Sequence, residues 1–535
     1  MGQNEKIGHV TSGSLTEGFI VKVRPEVNIE QVKTGQFVAI QGSNLLFFSI
    51  ITNIQLECSN PEIFYDTPPA PESLLHNIVH KQHLFATAHI KPMLSLNSQS
   101  KRVSTVKTIP SHFAPVRKAN EKDISSIFGR ESDKSRKYFN IGKPLEMDTP
   151  VCINLEKLIE RSSGIFGKTG TGKTFLTRLV ISGLIKTEKA ATIIFDMHNE
   201  YGLQARQEGG GLSFVKGLKT LFPTRVALFS LDPISTQQRG SAPDVTVNIS
   251  YTEIRIEDIL SLQHELNLHT TAIEAAYLIG NKYKKRWLIE LLEQGHDAKE
   301  FAQQVGAHPE SIAALYRKLK RIERLPFITK QTQPTTIIDT ILSYIDRNIH
   351  IVFEFGNFTS TFCYLLVANI ITRRIHTAYI KKTEAFLRSK KVEEQPTRLL
   401  IVIEEAHKFL HPEAAKQTIF GTIAREMRKY YVSLCIIDQR PGDIDDEIMS
   451  QIGTKIVAQL GNEKDMQTVF SGVPNASTLK SVLSTLDSKK QVLLIGHALP
   501  MPMVIETRSY DQQFYQDMQL GIIQQPTDEI IEELF

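Results

Sequence analysis

The stretch GKTGTGKT, Gly167 to Thr174, constrains this chain more than any other, because its glycines and its neighbours suit one local structure. It fits the pattern G-x-x-x-x-G-K-[ST] in full and follows the apolar pair Ile165-Phe166. Behind it, Phe175, Leu176, Leu179, Val180, Leu184 and Ile185 recur at helical spacing. In a strand–loop–helix unit, Gly167, Gly170 and Gly172 let the backbone turn tightly, so that amides converge on phosphate oxygens at the positive end of the helix. The expected nucleotide site is therefore Gly167, Lys168, Thr169, Gly170, Thr171, Gly172, Lys173, Thr174 and Phe175. Lys173 reaches the β and γ phosphates and the Thr174 hydroxyl ligates Mg²⁺, so ATP and Mg²⁺ are the expected cofactors. A fortuitous glycine turn would lack the flanking strand and helix.

With 535 residues the chain exceeds one compact domain, and 41% hydrophobic with 22% charged residues is ordinary for a soluble protein. Cys58, Cys152, Cys363 and Cys435 stand singly, with no C-x-x-C pair, and read as buried thiols of a reducing compartment. The longest apolar run, Tyr364 to Thr372, is too short to span a bilayer and stops at Arg373-Arg374. The N-terminus MGQNEKIGHV has no apolar core, so a cytoplasmic protein without a membrane partner is expected. A net charge of +4 is mild, and any nucleic-acid contact must come from local clustering.

Residues 1–115 carry short β-type runs broken by Gly, Asn and Pro, such as Gly18–Val23, Phe37–Ile40 and Phe47–Ile51. That pattern predicts a small β-barrel suited to docking or oligomerisation. A polar, proline-punctuated stretch, 116–150, reads as a connector into an α/β ATPase domain over 151–510, with 511–535 as a tail. Within that domain Ala191–Asp196 and Arg225–Leu231 read as strands, with Gly209-Gly210-Gly211 as a loop tip between them. Asp196, His198 and Glu200 fall at the strand end where parallel sheets present ligand-binding groups, although His198 and Tyr201 suit packing beneath the loop equally well. From about 254 to 345 helical spacing marks an insertion. It holds two basic clusters, Lys282–Arg286 and Arg317–Arg321, which are either solvated helix faces or DNA contacts. The sheet resumes at His350–Phe355, and Lys381–Gln395 reads as a charged link.

Leu399 to Glu405, LLIVIEE, is an apolar strand ending in two carboxylates. A phosphate-loop ATPase needs one acid to hold the Mg²⁺ water shell, here Glu404, and one to polarise the attacking water, here Glu405. Glu at the first position is a departure from the commoner Asp. Val432 to Asp438 is a further strand, and Gln439 behind it suits a sensor that bonds γ-phosphate and water. No N-K-x-D motif for guanine is present, since Asn281-Lys282 is followed by Tyr283-Lys284.

The glycine loop, IEEAHKF, AREMRKY, IIDQRP, GTKIVAQL and QVLLIGHALPMP occur in that order, and together they resemble the HerA family of hexameric DNA translocases, relatives of FtsK. The N-terminal strands and IPSHFAPV resemble that family's barrel and connecting segment. The resemblance implies a RecA-like motor domain with a helical insertion behind a small barrel, closed into a homo-hexamer around double-stranded DNA. It implies a NurA-type nuclease as partner in DNA end processing and repair, docked through the barrel; in related defence systems such rings assemble with other effectors, nucleases or sirtuin-like subunits. It implies a cis-acting arginine at Arg161 and a trans-acting one at Arg428, with Arg425 a rival to the latter.

Overall fold

A computed structural model of the chain describes residues 6–59, 84–100, 102–145, 147–206, 214–331, 335–415, 418–473, 476–484, 486 and 490–523. The Gly209-Gly210-Gly211 tip and the end of the tail lie outside the described residues. The chain divides into two compact units, one within 1–154, 474–486 and 491–508, the other within 155–473, 487–490 and 509–535.

The first unit is built on β1 (Lys6–Ser14), β2 (Gly18–Val23), β3 (Phe37–Gln41), β4 (Leu45–Cys58) and β5 (Leu84–Asn97), with four buried apolar residues in a row on β3. The short β6 (Val103–Thr105) adds to β5. With β7 (Pro115–Lys118) the pairing runs β2-β1-β7-β3-β4-β5, and β2 pairs back onto β5, so the barrel closes. Val21, Val38, Ile40, Phe47, Ile51, Ile90 and Val116 fill it. The stretch expected as a connector is folded. β7 lies between β1 and β3, and Arg117 on it makes a two-pronged pair with Asp123, at 2.5 and 3.0 Å, in the first turn of α1 (Glu121–Phe128). Polarity misled here because a four-residue strand between two neighbours needs only one inward apolar residue, Val116. β8 (Tyr138–Lys143) and β9 (Val151–Asn154) follow as an antiparallel pair. Residues 491–508, expected inside the ATPase domain, belong to this unit, since Met503–Thr507 pairs with β8.

The second unit is a parallel sheet. Its strands are β10 (Ser163–Phe166), β11 (Ala191–Asp196), β14 (Val226–Ser230), β15 (Val245–Thr246), β18 (His350–Glu354), β19 (Leu399–Glu404), β20 (Val432–Asp438) and β21 (Thr454–Val457). Two-residue pairs lie outside it: β12 (Ala205–Arg206) with β13 (Phe214–Val215), and β16 (Ile249–Ser250) with β17 (Ile328–Thr329). The order is β15-β14-β18-β11-β19-β20-β10-β21. Every residue of β11, β14, β18, β19 and β20 is buried, as befits strands covered on both faces. This is the α/β, phosphate-loop architecture expected.

The helical insertion is present, with α3 (Ile256–Leu260), α4 (Thr270–Tyr283), α5 (Trp287–Gln294) and α6 (Ile337–Asp346) among its helices. The expected charged link is instead mostly helix, since α7 runs from Thr361 to Ser389. No Gly or Pro interrupts the chain before Pro396, and Lys, Glu and Arg are good helix formers. Cys152, Cys363 and Cys435 are buried free thiols, while Cys58 is half-buried. Among the described residues no helix is long and apolar enough to cross a membrane.

Candidate nucleotide site

The loop after β10 owes its path to its glycines. Gly170 and Gly172 sit at φ 79° and 84°, in the left-handed region that a side chain disfavours. A Cβ at Gly167 would lie 2.6 Å from Thr171 Oγ1 and 2.9 Å from Ala458 Cβ. Gly172 then opens the helix α2 (Lys173–Thr187), whose first amides receive no side-chain cap. Lys173 Nζ donates to the carbonyls of Gly167 and Lys168, at 2.9 and 3.2 Å, and Thr171 Oγ1 donates to Lys168 O at 2.7 Å. The Phe175 ring meets Tyr510 edge-on at 5.7 Å.

Beside the loop, parallel strands deliver acids to the same sheet edge. Thr174 Oγ1 donates to Glu200 Oε2 at 2.8 Å. Asp196 accepts the amides of Glu200 and Tyr201, both at 2.8 Å, and so shapes the turn that brings Glu200 to the loop. The Tyr201 hydroxyl, fully buried, donates to Glu404 Oε1 at 2.6 Å. Tyr364 on α7 clamps the backbone of the same residue: its hydroxyl donates to Glu404 O at 3.1 Å and accepts Glu404 N–H at 3.2 Å. Glu404 Oε2 is buried and has no hydrogen-bond partner among the described residues. Burial pushes the Glu404 carboxyl up to about 8, and that of Asp196 up to about 7.

Glu405 follows at φ 49°, in the left-handed region, and is partly buried. His407 lies beside it. Asp438, buried at the end of β20, accepts His407 N–H at 2.7 Å, the His407 ring through Nδ1 at 3.0 Å, and Arg440 N–H at 2.7 Å. That carboxylate raises the His407 pKa and leaves Nε2 3.8 Å from Glu405 Oε2. Gln439 Oε1 accepts the Thr169 hydroxyl at 2.7 Å, which ties the end of β20 to the glycine loop.

The loop, Thr174, Glu404, Glu405 and Gln439 thus gather on one edge. His198 is exposed, and Tyr201 both packs and bonds Glu404. Arg161 is not brought to the loop. It precedes β10, whose four residues span roughly 13 Å before the loop begins, and its stem packs where a Cβ on Gly453 would fall, at the start of β21. At that opposite edge a cavity of about 290 Å³ is lined by Glu160, Arg398, Lys429 and Tyr431. The segment AREMRKY is not one helix: α8 (Ile419–Glu426) ends and a 3₁₀ turn, Met427–Tyr430, carries Arg428, whose side chain is outside the described set. Arg425, the rival, pairs with Glu447 at 3.2 Å, while Glu413 pairs with His264. Three residues of the site have no role assigned from sequence: Tyr364 is there only the start of an apolar run, and His407 and Asp438 acquire their relation only when β19 and β20 pair.

The residues suit Mg²⁺. The orphaned Glu404 Oε2 and the Thr174 hydroxyl are hard oxygen donors beside a phosphate cradle. Among the described residues no group of three or more His, Cys, Asp or Glu could hold a metal alone.

Residues 139–375 match the family described as "Helicase HerA, central domain". The chain is 24% identical over 500 residues to the DNA double-strand break repair helicase HerA of Sulfolobus acidocaldarius, covering 90% of each protein. It is 23% identical to that of Sulfurisphaera tokodaii, covering 94% of this chain and 93% of the relative. VirB4 of Thermoanaerobacter pseudethanolicus superposes with a TM-score of 0.45 at 13% identity, over 71% of this chain and 98% of that one.

The raised Glu404 carboxyl sets a pH dependence in protein free of nucleotide and metal. A carboxyl whose folded pKa exceeds its ordinary 4.5 contributes stability below that value, lost as pH rises through about 8. Glu404→Gln keeps the neutral form at every pH. It should melt above wild type at pH 8.5, with the gap closing toward pH 5; a gap that ignores pH would contradict the assignment.

Proposed function

We propose that this ATP-hydrolysing chain belongs to the HerA helicase family and is a ring-forming motor that couples hydrolysis to movement along double-stranded DNA. The observation carrying this reading is the convergence of glycine loop, paired acids and Gln439 on one sheet edge. DNA as the track is supported by the relatives named as DNA double-strand break repair helicases.

In this reading the loop amides and Lys173 bind the β and γ phosphates of ATP. Thr174 and Glu404 hold Mg²⁺, which when bound offsets phosphate charge. Glu405 accepts the proton of the attacking water, and His407, steadied by Asp438, fixes where that carboxylate points. Gln439 reports the state of the loop through Thr169. Arg428 and Arg161 both lie away from the loop of their own chain, and we assign both to the nucleotide of a neighbouring subunit in a hexamer. The barrel carries the exposed apolar residues Ile109 and Phe113, the latter at φ 62°, and serves as the docking platform for a nuclease or other effector.

Duplex DNA of any sequence should stimulate ATP hydrolysis, and Glu405→Gln should bind ATP yet hydrolyse it at least ~100-fold more slowly. Hydrolysis indifferent to duplex would remove DNA from the reading; a near-normal Glu405→Gln would remove the base.

Subunit mixing tests the arginines. Lys173→Ala and Arg428→Ala should each be inactive alone, because loss of a trans arginine costs ~10³-fold or more. Mixed rings regain activity, since about a quarter of interfaces then pair an intact Lys173 with an intact Arg428. Arg161→Ala mixed with Lys173→Ala should recover likewise; a mixture that stays inactive after verified exchange returns Arg161 to a role within its own chain.

Phe113→Asp should leave ATPase activity intact and abolish co-elution with the partner nuclease. Retained co-elution puts docking elsewhere than on this part of the barrel.

A further inference from the structure

The two basic clusters of the insertion meet different fates. In the second, Lys318 donates to the carbonyl of Asn267, Lys320 to the Tyr316 hydroxyl at 3.0 Å, and Arg321 lies 4.5 Å over the Phe362 ring. Those charges are occupied in holding helices together. In the first, Lys282 donates to Gln304 O and Arg286 pairs with Glu290. Lys284 and Lys285 between them have no carboxylate partner among the described residues, and both are exposed. Lys284 sits at φ 53°, ψ −123°, a conformation costly for any residue but glycine. The turn therefore holds its two free lysines out at a defined place.

That place is the rim of a cavity of about 550 Å³ between α3, α4, α6 and α7. Its rim also carries Arg255 and Lys381, likewise exposed and without a carboxylate partner among the described residues. The acids nearby are mostly engaged. Glu253 accepts the Ser250 amide, Asp339 accepts the hydroxyl of the helix cap Thr336, and buried Asp258 binds Arg373 and Arg374, each at 3.1 Å. Three carboxylates, Glu253, Glu257 and Asp339, line the cleft against its four unpaired cations, and that of Glu257 is the one with no hydrogen bond among the described residues. The floor is apolar, formed by Ile254, Ile338 and Leu342. Cations around a concave apolar floor suit a flexible polyanion whose phosphates meet the rim while its sugars pack below.

The cleft also touches the catalytic strand through one rigid element. Arg374, Thr377 and Ala378 of α7 line it, and Arg374 also donates to the carbonyl of Glu253. Ten residues earlier on α7, about 15 Å away, Tyr364 clamps the backbone of Glu404. Displacement of α7 at the cleft therefore arrives at Glu404, which shares the Tyr201 turn with the Glu200 carboxylate at Thr174.

We propose that this cleft binds the phosphodiester backbone of DNA, independently of sequence, and that α7 conveys its occupation to Glu404. The inference rests on the reading of the chain as a DNA motor, and the tests separate the two. In the full-length Lys284→Glu/Lys285→Glu variant, fluorescence anisotropy with unrelated DNA sequences at several salt concentrations should show weakened binding. The salt slope should fall by about one for each lost phosphate contact. DNA-free ATPase activity should stay within about twofold of wild type while DNA stimulation is lost, because neither lysine belongs to the nucleotide site. In wild type, acetylation footprinting should show DNA protecting Lys284, Lys285 and Lys381 but not exposed Lys299, a readout that needs no variant to fold. If wild type binds and is stimulated by DNA while the variant matches it in affinity, slope and stimulation and the lysines go unprotected, the cleft is not a DNA site and the motor reading stands. Binding lost with stimulation at saturating DNA retained would overturn the route through α7. Wild type that binds no DNA overturns both.

Discussion

Four buried carboxylates end four adjacent parallel strands, Glu354 on β18, Asp196 on β11, Glu404 on β19 and Asp438 on β20, and the edge they form depends on how each is satisfied. An unpaired buried carboxylate costs several kcal/mol, so every one of them recruits a partner or changes its protonation. Glu354 takes Arg239, its oxygens bonded at 2.6 and 3.0 Å. Asp196 takes two amides, Asp438 takes two amides and an imidazole, and Glu404 takes one tyrosine hydroxyl. The acid whose strand borders that of the glycine loop is Asp438, while among the described residues Glu404 alone of the four keeps an oxygen without a partner. The three satisfied acids build the turns around it.

Satisfying Asp196 with the amides of Glu200 and Tyr201 fixes a turn, and that turn performs two further tasks. It carries the Glu200 carboxylate to Thr174 and seats the Tyr201 hydroxyl against Glu404. In the same way, Asp438 holds the His407 ring so that its far nitrogen faces Glu405. Residues with no direct access to a nucleotide therefore determine where those with access can point. This is how a polar network in a low-dielectric interior acts as a positioning device.

The opposite edge of the sheet has a different chemistry. Arg161, Arg398 and Lys429 lie where strands begin, a full strand length from the glycine loop, and no arginine side chain spans that interval within one chain. Acids and phosphate-binding amides at one end, with cations at the other, give the unit a polarity that a head-to-tail ring would bring face to face.

The sequence by itself determined the nucleotide loop, the buried strands and the acid pair, because these are local. A glycine must sit where φ is positive, an apolar run covered on both faces reads as continuous, and a strand-end acid adjoins its strand in the chain. It also located the barrel strands and the insertion through their periodicity. It could not decide that the polar residues 115–118 are a barrel strand, nor that Lys381–Ser389 continues a helix, since polarity does not distinguish a solvated link from a solvated face. Only the tertiary structure decided that Tyr364 grips Glu404, that Asp438 orients His407, and that Arg161 stands away from its own loop. Each of these is a relation between strands or helices that are distant along the chain. Register and packing fix such relations, and no local spacing encodes them.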